Sequence, residues 1–248
     1  MTIPLKTQQE IETMREGGSI LARVIKELEA HVRPGVQTKE LDRAAEALVL
    51  RSGAKPAFKG YGGFPSSLCV SVNNEIVHGI PSERVLQEGD IVSLDLGLIW
   101  KGLYLDAART VPVGTASAEA MHLIRSAKKA LRLALKKTRS GSTFGDIGNT
   151  IQRFVESQGL SVVKELCGHG IGRALHEDPQ IPNFGDRHTG PVLQEGMVFC
   201  IEPIIAAGDW QTTRTKEGVY CTRDGALSAH FEDTVVVVKN GCEVLTKW

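Results

Sequence analysis

The chain has 248 residues, of which 42% are hydrophobic and 23% are charged, as in an ordinary globular protein. Its 29 basic residues balance 29 acidic residues, so the formal net charge is zero. This composition excludes a disordered chain, a fibrous repeat and a coiled coil. Because no basic field is available to neutralise phosphates, we expect no specific nucleic-acid binding and no binding to anionic membranes.

The five cysteines are odd in number and contain no Cys-x-x-Cys spacing. They predict neither a disulfide framework nor a zinc–thiolate site, and they favour a reducing compartment. The N-terminus lacks the apolar core of a signal peptide, and no apolar run approaches the ~18 residues of a membrane span. We therefore expect a cytoplasmic protein, and a monomer, since no pattern indicates self-association.

Periodicity and turn residues predict two helices followed by strands in the first half of the chain. A capping box begins a helix at Thr7, Pro34-Gly35 ends it, and a second helix runs from near Thr38 to Gly53. The strands predicted after these helices are 68–72, 91–96 and 103–113.

The second half of the chain follows the same plan. One helix begins at Ser117, and another is centred on Ile147 and Ile151 and stops at Gly159. The strands predicted after these helices are 161–165, 197–205 and 231–238.

A short motif supports the repeated plan. Residues 86–89 and 193–196 both read Leu-Gln-Glu-Gly, and nine residues after each leucine an apolar strand reaches a carboxylate, Asp95 or Glu202. The pattern predicts an α+β fold in one domain, 1–248, with pseudo-twofold-related halves of about 1–115 and 116–248. The alternative is coincidence in a common turn-strand pattern.

Asp95 and Asp106 lie within apolar strands, where an unpaired carboxylate is costly to bury. A four-residue loop at 99–102 pairs position 95 with 106, whereas a two-residue turn at Lys101-Gly102 pairs 95 with 108. Either register places both carboxylates on one face, roughly 5–8 Å apart. The two acids therefore predict a cation between them, unless one of them faces solvent.

Glu202 and Glu232 are two further carboxylates in or beside apolar strands, and three histidines lie in turns bounded by glycine or proline. His169 stands among glycines, and His176 and His78 stand in similar turns. Four oxygen ligands and one imidazole are typical of a pair of divalent first-row ions such as Mn, Fe, Co or Zn.

These motifs resemble those of the type I methionine aminopeptidases of the bacterial, pita-bread kind. The resemblance covers essentially the whole chain and is carried by the two aspartates eleven apart and by segments 168–173, 201–203 and 228–232. It implies helix-helix-sheet halves around a curved antiparallel sheet. It also implies two divalent ions, Co, Mn, Fe, Ni or Zn, with Asp106 and Glu232 bridging them, Asp95 on one ion, and His169 and Glu202 on the other.

The same resemblance implies co-translational removal of the initiator methionine from nascent chains with a small second residue, in transient proximity to the ribosome. A hydroxide activated by the two metals attacks the first peptide bond. Glu202 shuttles its proton, His176 donates to the substrate carbonyl, and His78 contacts the amide nitrogen. The implied methionine pocket consists of Phe58, Tyr61, Phe64, Cys69, His78, Leu175 and the segment near Gly218.

The chain departs from the family at three pocket positions. Leu175 stands where phenylalanine is frequent, Gly218 where tryptophan is frequent, and Phe58 where a small residue is frequent. Two alternatives are a proline-specific pita-bread aminopeptidase and a non-catalytic binding protein of the same fold. A third is a cysteine hydrolase using Cys167 and His169, which we disfavour on the expectation that these side chains point to opposite faces of a strand.

Overall fold

The structure is a computed structural model that describes residues 3–247. Met1 and Thr2, which begin the segment predicted to lack a signal peptide, lie outside the described residues, as does Trp248. Within residues 3–247 the helices are α1 (Gln8–Glu29), α2 (Thr38–Arg51), α3 (Ala118–Lys137) and α4 (Phe144–Ser157). In this range, no helix has both the length and the apolar character needed to cross a bilayer.

Side-chain caps define where the helices begin. The Thr7 side chain accepts from the Glu10 backbone N–H while the Glu10 side chain accepts from Thr7, which completes the predicted capping box. Ser117 caps α3, as predicted. A second capping box, between Thr143 and Asp146, begins α4 three residues before the first apolar position identified in the sequence.

The strands form one large antiparallel sheet and two small ones. The strands are β1 (Lys55–Pro56), β2 (Leu68–Val72), β3 (Glu75–Val77), β4 (Ile91–Trp100), β5 (Leu103–Pro112), β6 (Ser161–Val162), β7 (Cys167–Gly170), β8 (Glu177–Pro182), β9 (Val198–Ile201), β10 (Ile204–Ala206), β11 (Thr212–Arg214), β12 (Tyr220–Thr222), β13 (Ser228–His230), β14 (Glu232–Val238) and β15 (Gly241–Val244). The large sheet has the order β1-β4-β5-β14-β9-β7-β8, with β2 paired to β4 and β15 to β14. The small sheets have the orders β13-β10-β6 and β11-β12-β3.

The β4–β5 hairpin adopts the second of the two predicted registers. Lys101 and Gly102 form a two-residue turn with φ of 48° and 86°, the left-handed values that such hairpin turns require. Asp95 therefore pairs with Ala108, and Asp106 pairs with Gly97. The two acids lie diagonally on one face of the hairpin.

Three predicted strands of the second half were wrong in extent. The strand predicted at 197–205 is divided into β9 and β10 by Glu202 and Pro203, because proline has no N–H to donate to a ladder. The strand predicted at 231–238 begins one residue later, since the Phe231 N–H bonds to the Pro203 carbonyl at 3.3 Å. The strand predicted at 161–165 is only β6. Consequently, the β9–β10 segment and the β13–β14 segment cross between the large sheet and a small sheet at the same place.

The two Leu-Gln-Glu-Gly segments make equivalent contacts. Leu86 is fully buried, accepts from the Gly35 N–H and donates to the Val36 carbonyl; Leu193 is buried, accepts from the Gly141 N–H and donates to the Ser142 carbonyl. One apolar core lies mainly under α1 and α2, and a second lies under α3 and α4. These matched contacts support the predicted halves, whose symmetry stays a prediction.

Candidate metal centre

Three carboxylates meet on adjacent strands of the large sheet. Asp95 and Asp106 come from the β4–β5 hairpin, and Glu232 opens β14, where it pairs with Ala108 of β5. Ala108 thus has Asp95 on one side and Glu232 on the other. One oxygen from each of the three carboxylates lies within 4.8 Å of the other two, which is close enough to share one cation.

A second group of donors overlaps the first. His169 lies on β7 with its Nε2 3.8 Å from Oε1 of Glu202, which stands just after β9. A ring nitrogen of His169, the Cys200 sulfur and an oxygen of Glu232 also lie within 4.8 Å of one another. Glu232 therefore belongs to both groups. The structure brings together all five residues that the resemblance implies as ligands.

The carboxylates are buried without enough partners. Asp95, Asp106, Glu202 and Glu232 are each at most 9% exposed. In residues 3–247, Oδ1 of both aspartates and Oε1 of Glu232 have no hydrogen-bond partner. Burial raises the pKa of Asp95 to about 7. Burial and then neighbouring carboxylates raise the pKa of Asp106, Glu202 and Glu232 well above the usual range. Divalent cations relieve both the burial cost and the mutual repulsion, so the residues fit a metal site.

The imidazole of His169 has the form that a metal ligand needs. Its Nδ1 lies 3.0 Å from the Gly170 carbonyl, an acceptor, so Nδ1 carries the proton and Nε2 keeps its lone pair. Burial lowers the pKa of His169 to about 4, which favours the neutral ring. Its free nitrogen is the one that faces Glu202.

Two exposed histidines, His78 and His176, lie near these donor residues. The His176 ring packs edge-on against His169 with centroids 4.4 Å apart, and its Nδ1 lies 2.9 Å from the Tyr61 hydroxyl. His78 has a φ of 61°, a strained value for a residue other than glycine, and its ring meets the Tyr220 ring at 5.6 Å. Strained residues of this kind cluster at functional sites.

The predicted pocket residues divide into two groups. Phe58, Cys69 and Leu175 belong to one buried apolar cluster, with Phe64 packed against it, whereas Tyr61 is 46% exposed. Cys69 pairs with Asp95 across β2 and β4, so this cluster adjoins the carboxylates. Gly218 lies apart, in the turn between β11 and β12, where its carbonyl accepts from Nε of Arg214 at 3.1 Å.

The expectation about Cys167 and His169 was wrong in its geometry. Residues two apart in a strand share a face, and the burial of β7 alternates accordingly. The thiol is nevertheless a poor nucleophile, because burial raises the pKa of Cys167.

The sequence interpretation missed two residues of this site, Cys200 and His230. Cys200 is fully buried, and burial raises the pKa of its thiol well above the usual range, which favours the protonated form. His230 is 2% exposed, with Nε2 3.7 Å from Glu202 and 3.6 Å from Glu232. Its position two residues before Glu232 was the available signal.

An α+β fold with a buried, oxygen-rich centre and exposed histidines near it defines a metal-dependent enzyme. The model of metallopeptidase family M24 matches residues 12–239, and the chain belongs to this family. A methionine aminopeptidase of Clostridium perfringens is 47% identical over 98% of each chain.

Solved structures place the fold in the same group. A methionine aminopeptidase from Thermotoga maritima matches with a TM-score of 0.98 and 42% identity, covering 100% of both chains. A prolidase from Pyrococcus furiosus matches with a TM-score of 0.81 and 25% identity, over 98% of this chain and 65% of that one. The predicted family and pita-bread fold are confirmed, and as a metallopeptidase the chain uses divalent metal.

Proposed function

We propose that the chain removes the initiator methionine from nascent proteins and peptides whose second residue is small. The observation that carries this proposal is the convergence of five donor side chains on one buried centre, where several carboxylate oxygens have no hydrogen-bond partner among the described residues. The five are Asp95, Asp106, His169, Glu202 and Glu232. The high identity to methionine aminopeptidases over nearly the full chain supports the substrate assignment.

The centre is proposed to hold two divalent ions of the set Co, Mn, Fe, Ni and Zn. Asp106 and Glu232 would contribute to both ions, Asp95 to one, and His169 with Glu202 to the other. When bound, such ions act as Lewis acids and lower the pKa of an attacking water. The membership of Glu232 in both donor groups supports this division of ligands.

The protein's own groups then handle protons and charge. Glu202 accepts the proton of the attacking water and delivers it to the departing amine. His176 donates from Nε2 to the carbonyl oxygen as that oxygen gains negative charge, and His78 contacts the scissile amide nitrogen. The exposure of both histidines beside a buried carboxylate group supports an entry for substrate at this side.

The methionine side chain is proposed to lie against Phe58, Tyr61, Phe64, Cys69 and Leu175. A thioether is polarisable and packs well on aromatic rings and sulfur. The second residue of the substrate then lies between His78 and His176, where a long side chain has little room. The free amine is required because it docks beside the ion held by Asp95.

The proposed setting is the cytoplasm, where the substrate is the N-terminus of a nascent chain near the ribosome and the protein acts as a monomer. Five free cysteines support a reducing compartment. No part of the proposed reaction requires a second subunit or a nucleic acid.

The test is a peptide screen on metal-depleted protein, with one metal restored at a time. We expect cleavage of Met-Ala-x and Met-Gly-x, poor cleavage of Met-Lys-x and of formylated peptides, and no cleavage by Asp106→Asn with any metal. Full activity after chelation, verified by elemental analysis, contradicts metal dependence. Faster cleavage of Leu-first than Met-first peptides contradicts the methionine assignment, and faster cleavage of Gly-Pro peptides favours the proline-specific alternative.

A further inference from the structure

His230 is a buried histidine beside the proposed ligands that has no role in the function described above. It ends β13, is 2% exposed, and within the described residues neither ring nitrogen has a hydrogen-bond partner. A buried imidazole without partners is costly, so a folded protein rarely keeps one without a reason.

The backbone of His230 is held firmly from one side. Its N–H donates to Oγ1 of Thr110 at 2.8 Å, and the same hydroxyl donates to its carbonyl at 2.9 Å. Thr110 lies on β5, four residues after Asp106, and its Oγ1 is also 2.8 Å from Oγ of Ser93 on β4. The His230 backbone is therefore bound to the same hairpin that carries the two aspartates.

The ring points Nε2 at two carboxylates. Oε2 of Glu202 lies 3.7 Å away and Oε2 of Glu232 lies 3.6 Å away. The other oxygen of each glutamate lies elsewhere: Oε1 of Glu202 is near His169, and Oε1 of Glu232 has no hydrogen-bond partner among the described residues. In each glutamate, Oε2 therefore faces His230 and Oε1 does not.

The surroundings decide which nitrogen carries a proton. When both glutamates are ionised, as ligands of a divalent ion would be, a lone pair on Nε2 facing their oxygens would be repelled, whereas an N–H is attracted. In that state Nε2 carries a proton whether the ring is neutral or charged. At 3.6 and 3.7 Å neither contact is a hydrogen bond, so the attraction between the N–H and the two carboxylates is electrostatic.

We propose that His230 is a positioning residue, whose Nε2–H attracts Oε2 of Glu202 and of Glu232 and so leaves their Oε1 atoms directed to metal and water. This inference rests on the proposed function for the role of Glu202 as proton carrier. Groups that orient the ligands of a metal in this way typically contribute ~10–100-fold to metal affinity or activity.

The test compares His230→Gln, which keeps an N–H donor, with His230→Leu, which removes it at similar size. His31→Leu, at the exposed end of α1, is the control. Calorimetric titration with Mn²⁺ should show affinity reduced ~10–100-fold in His230→Leu and largely restored in His230→Gln. With Met-Ala-x peptides at saturating Mn²⁺, His230→Leu should lower kcat and leave KM nearly unchanged.

Unchanged Mn²⁺ affinity and kcat in His230→Leu overturns the proposal, and so does an equal loss in both variants, which would indicate a purely space-filling role. If His230→Leu does not fold, an NMR experiment on the wild-type protein still tests the proposal. Its ¹⁵N-histidine NMR spectrum should show a proton on Nε2 of His230 once Zn²⁺ is added. Loss of that proton on Zn²⁺ binding makes His230 a ligand and overturns the proposal.

Metal titration and NMR need no peptide cleavage, so the two proposals fail separately. A protein that binds Mn²⁺ through a His230-dependent centre but does not cut Met-Ala-x contradicts only the proposed function. If His230→Leu cuts Met-Ala-x as well as the wild type does, only the role of His230 is contradicted.

Discussion

Glu202 lies where the chain leaves one sheet for another, and the break after β9 places its carboxylate in the centre of the site. Glu202→Gln keeps the size and one oxygen but cannot accept a proton. We expect normal folding, retained metal, and a loss of ~10²–10⁴-fold in kcat with a Met-Ala-x peptide. The variant should be compared with the wild type by circular dichroism, metal content and steady-state kinetics. Near wild-type kcat with both metals bound makes Glu202 a ligand only.

Tyr61 acts on the site through His176. Its hydroxyl lies 2.9 Å from Nδ1 of His176, and when it donates there the imidazole proton must reside on Nε2, the atom proposed to donate to the substrate carbonyl. Tyr61→Phe removes this bond and keeps the ring, so kcat should fall about 10-fold, the equivalent of one hydrogen bond of about 1.4 kcal/mol, with little change in KM. Kinetics on Met-Ala-x and ¹⁵N NMR of His176 measure the two effects. An unchanged kcat together with an unchanged tautomer contradicts this role.

At the scale of elements, the segment before α1 braces the loop that carries His176. The Lys6 side chain is fully buried, and its Nζ lies 2.6 Å from Oε2 of Glu177, whose Oε1 accepts from the N–H groups of Arg173 and Ala174. Lys6 also bonds through its backbone N–H to the Gly196 carbonyl at 2.9 Å. Lys6 thus connects the segment before α1 to the loop between β7 and β8.

Lys6→Met should therefore be strongly destabilising, because it leaves a nearly buried carboxylate without its cation. We expect a loss of about 3 kcal/mol or more, and a fall in Tm of about 6–12 °C for a chain of this length. The control is Arg15→Met, which breaks an ion pair with Glu243 whose side chains are 45% and 35% exposed and should cost about 1 kcal/mol or less. Equal shifts in Tm for the two variants would show that burial of the Lys6 pair has no special weight.

At the scale of the whole molecule, the centre joins the two predicted halves. Asp95 and Asp106 come from the first half, and His169, Glu202 and Glu232 come from the second. Because the proposed ligands come from both halves and meet only in the folded protein, added divalent metal should stabilise the whole fold by mass action. Without metal, the same carboxylates oppose folding when they are ionised.

In the metal-free protein, the cost of burying ionised carboxylates depends on pH, because burial raises the pKa of Asp95 to about 7. Asp95 binds its proton more tightly in the folded protein than in the unfolded chain. Its contribution to the free energy of unfolding is therefore complete below the ordinary pKa of an aspartate and is lost as pH rises towards 7. In metal-free protein, Asp95→Asn should therefore raise the free energy of unfolding at pH 7.5, and by less at pH 5. Comparing the variant with the wild type at each pH cancels the titration of the buried histidines.

With divalent metal present, the sign should reverse, because Asp95→Asn then removes a ligand. Urea unfolding at both pH values, with and without Mn²⁺, measures all four differences. Asp186→Asn, on an exposed loop, is the control and should change none of them. A destabilising effect of Asp95→Asn in metal-free protein at pH 7.5 would contradict the assigned cost of burying this carboxylate.

The sequence by itself determined the features that depend on neighbouring residues. The capping box at Thr7, the cap at Ser117 and the tight turn at Lys101-Gly102 each involve side chains or backbone groups within a few positions, so their residue types predict them directly. The alternation of apolar residues similarly placed Asp95 and Asp106 on one face of a hairpin, although two registers remained open until the structure was known.

Only the tertiary structure decided how the second half meets the first. Thr234 bonds to both the N–H and the carbonyl of Asp106, 128 positions away, and this pairing of β14 with β5 brings Glu232 to the aspartates. The burial of His230 follows from the same long-range pairing. Strands of two or three residues, such as β6 and β13, have too few side chains to show a period. Their pairing is stabilised by distant partners, which is why no local pattern in the sequence could reveal it.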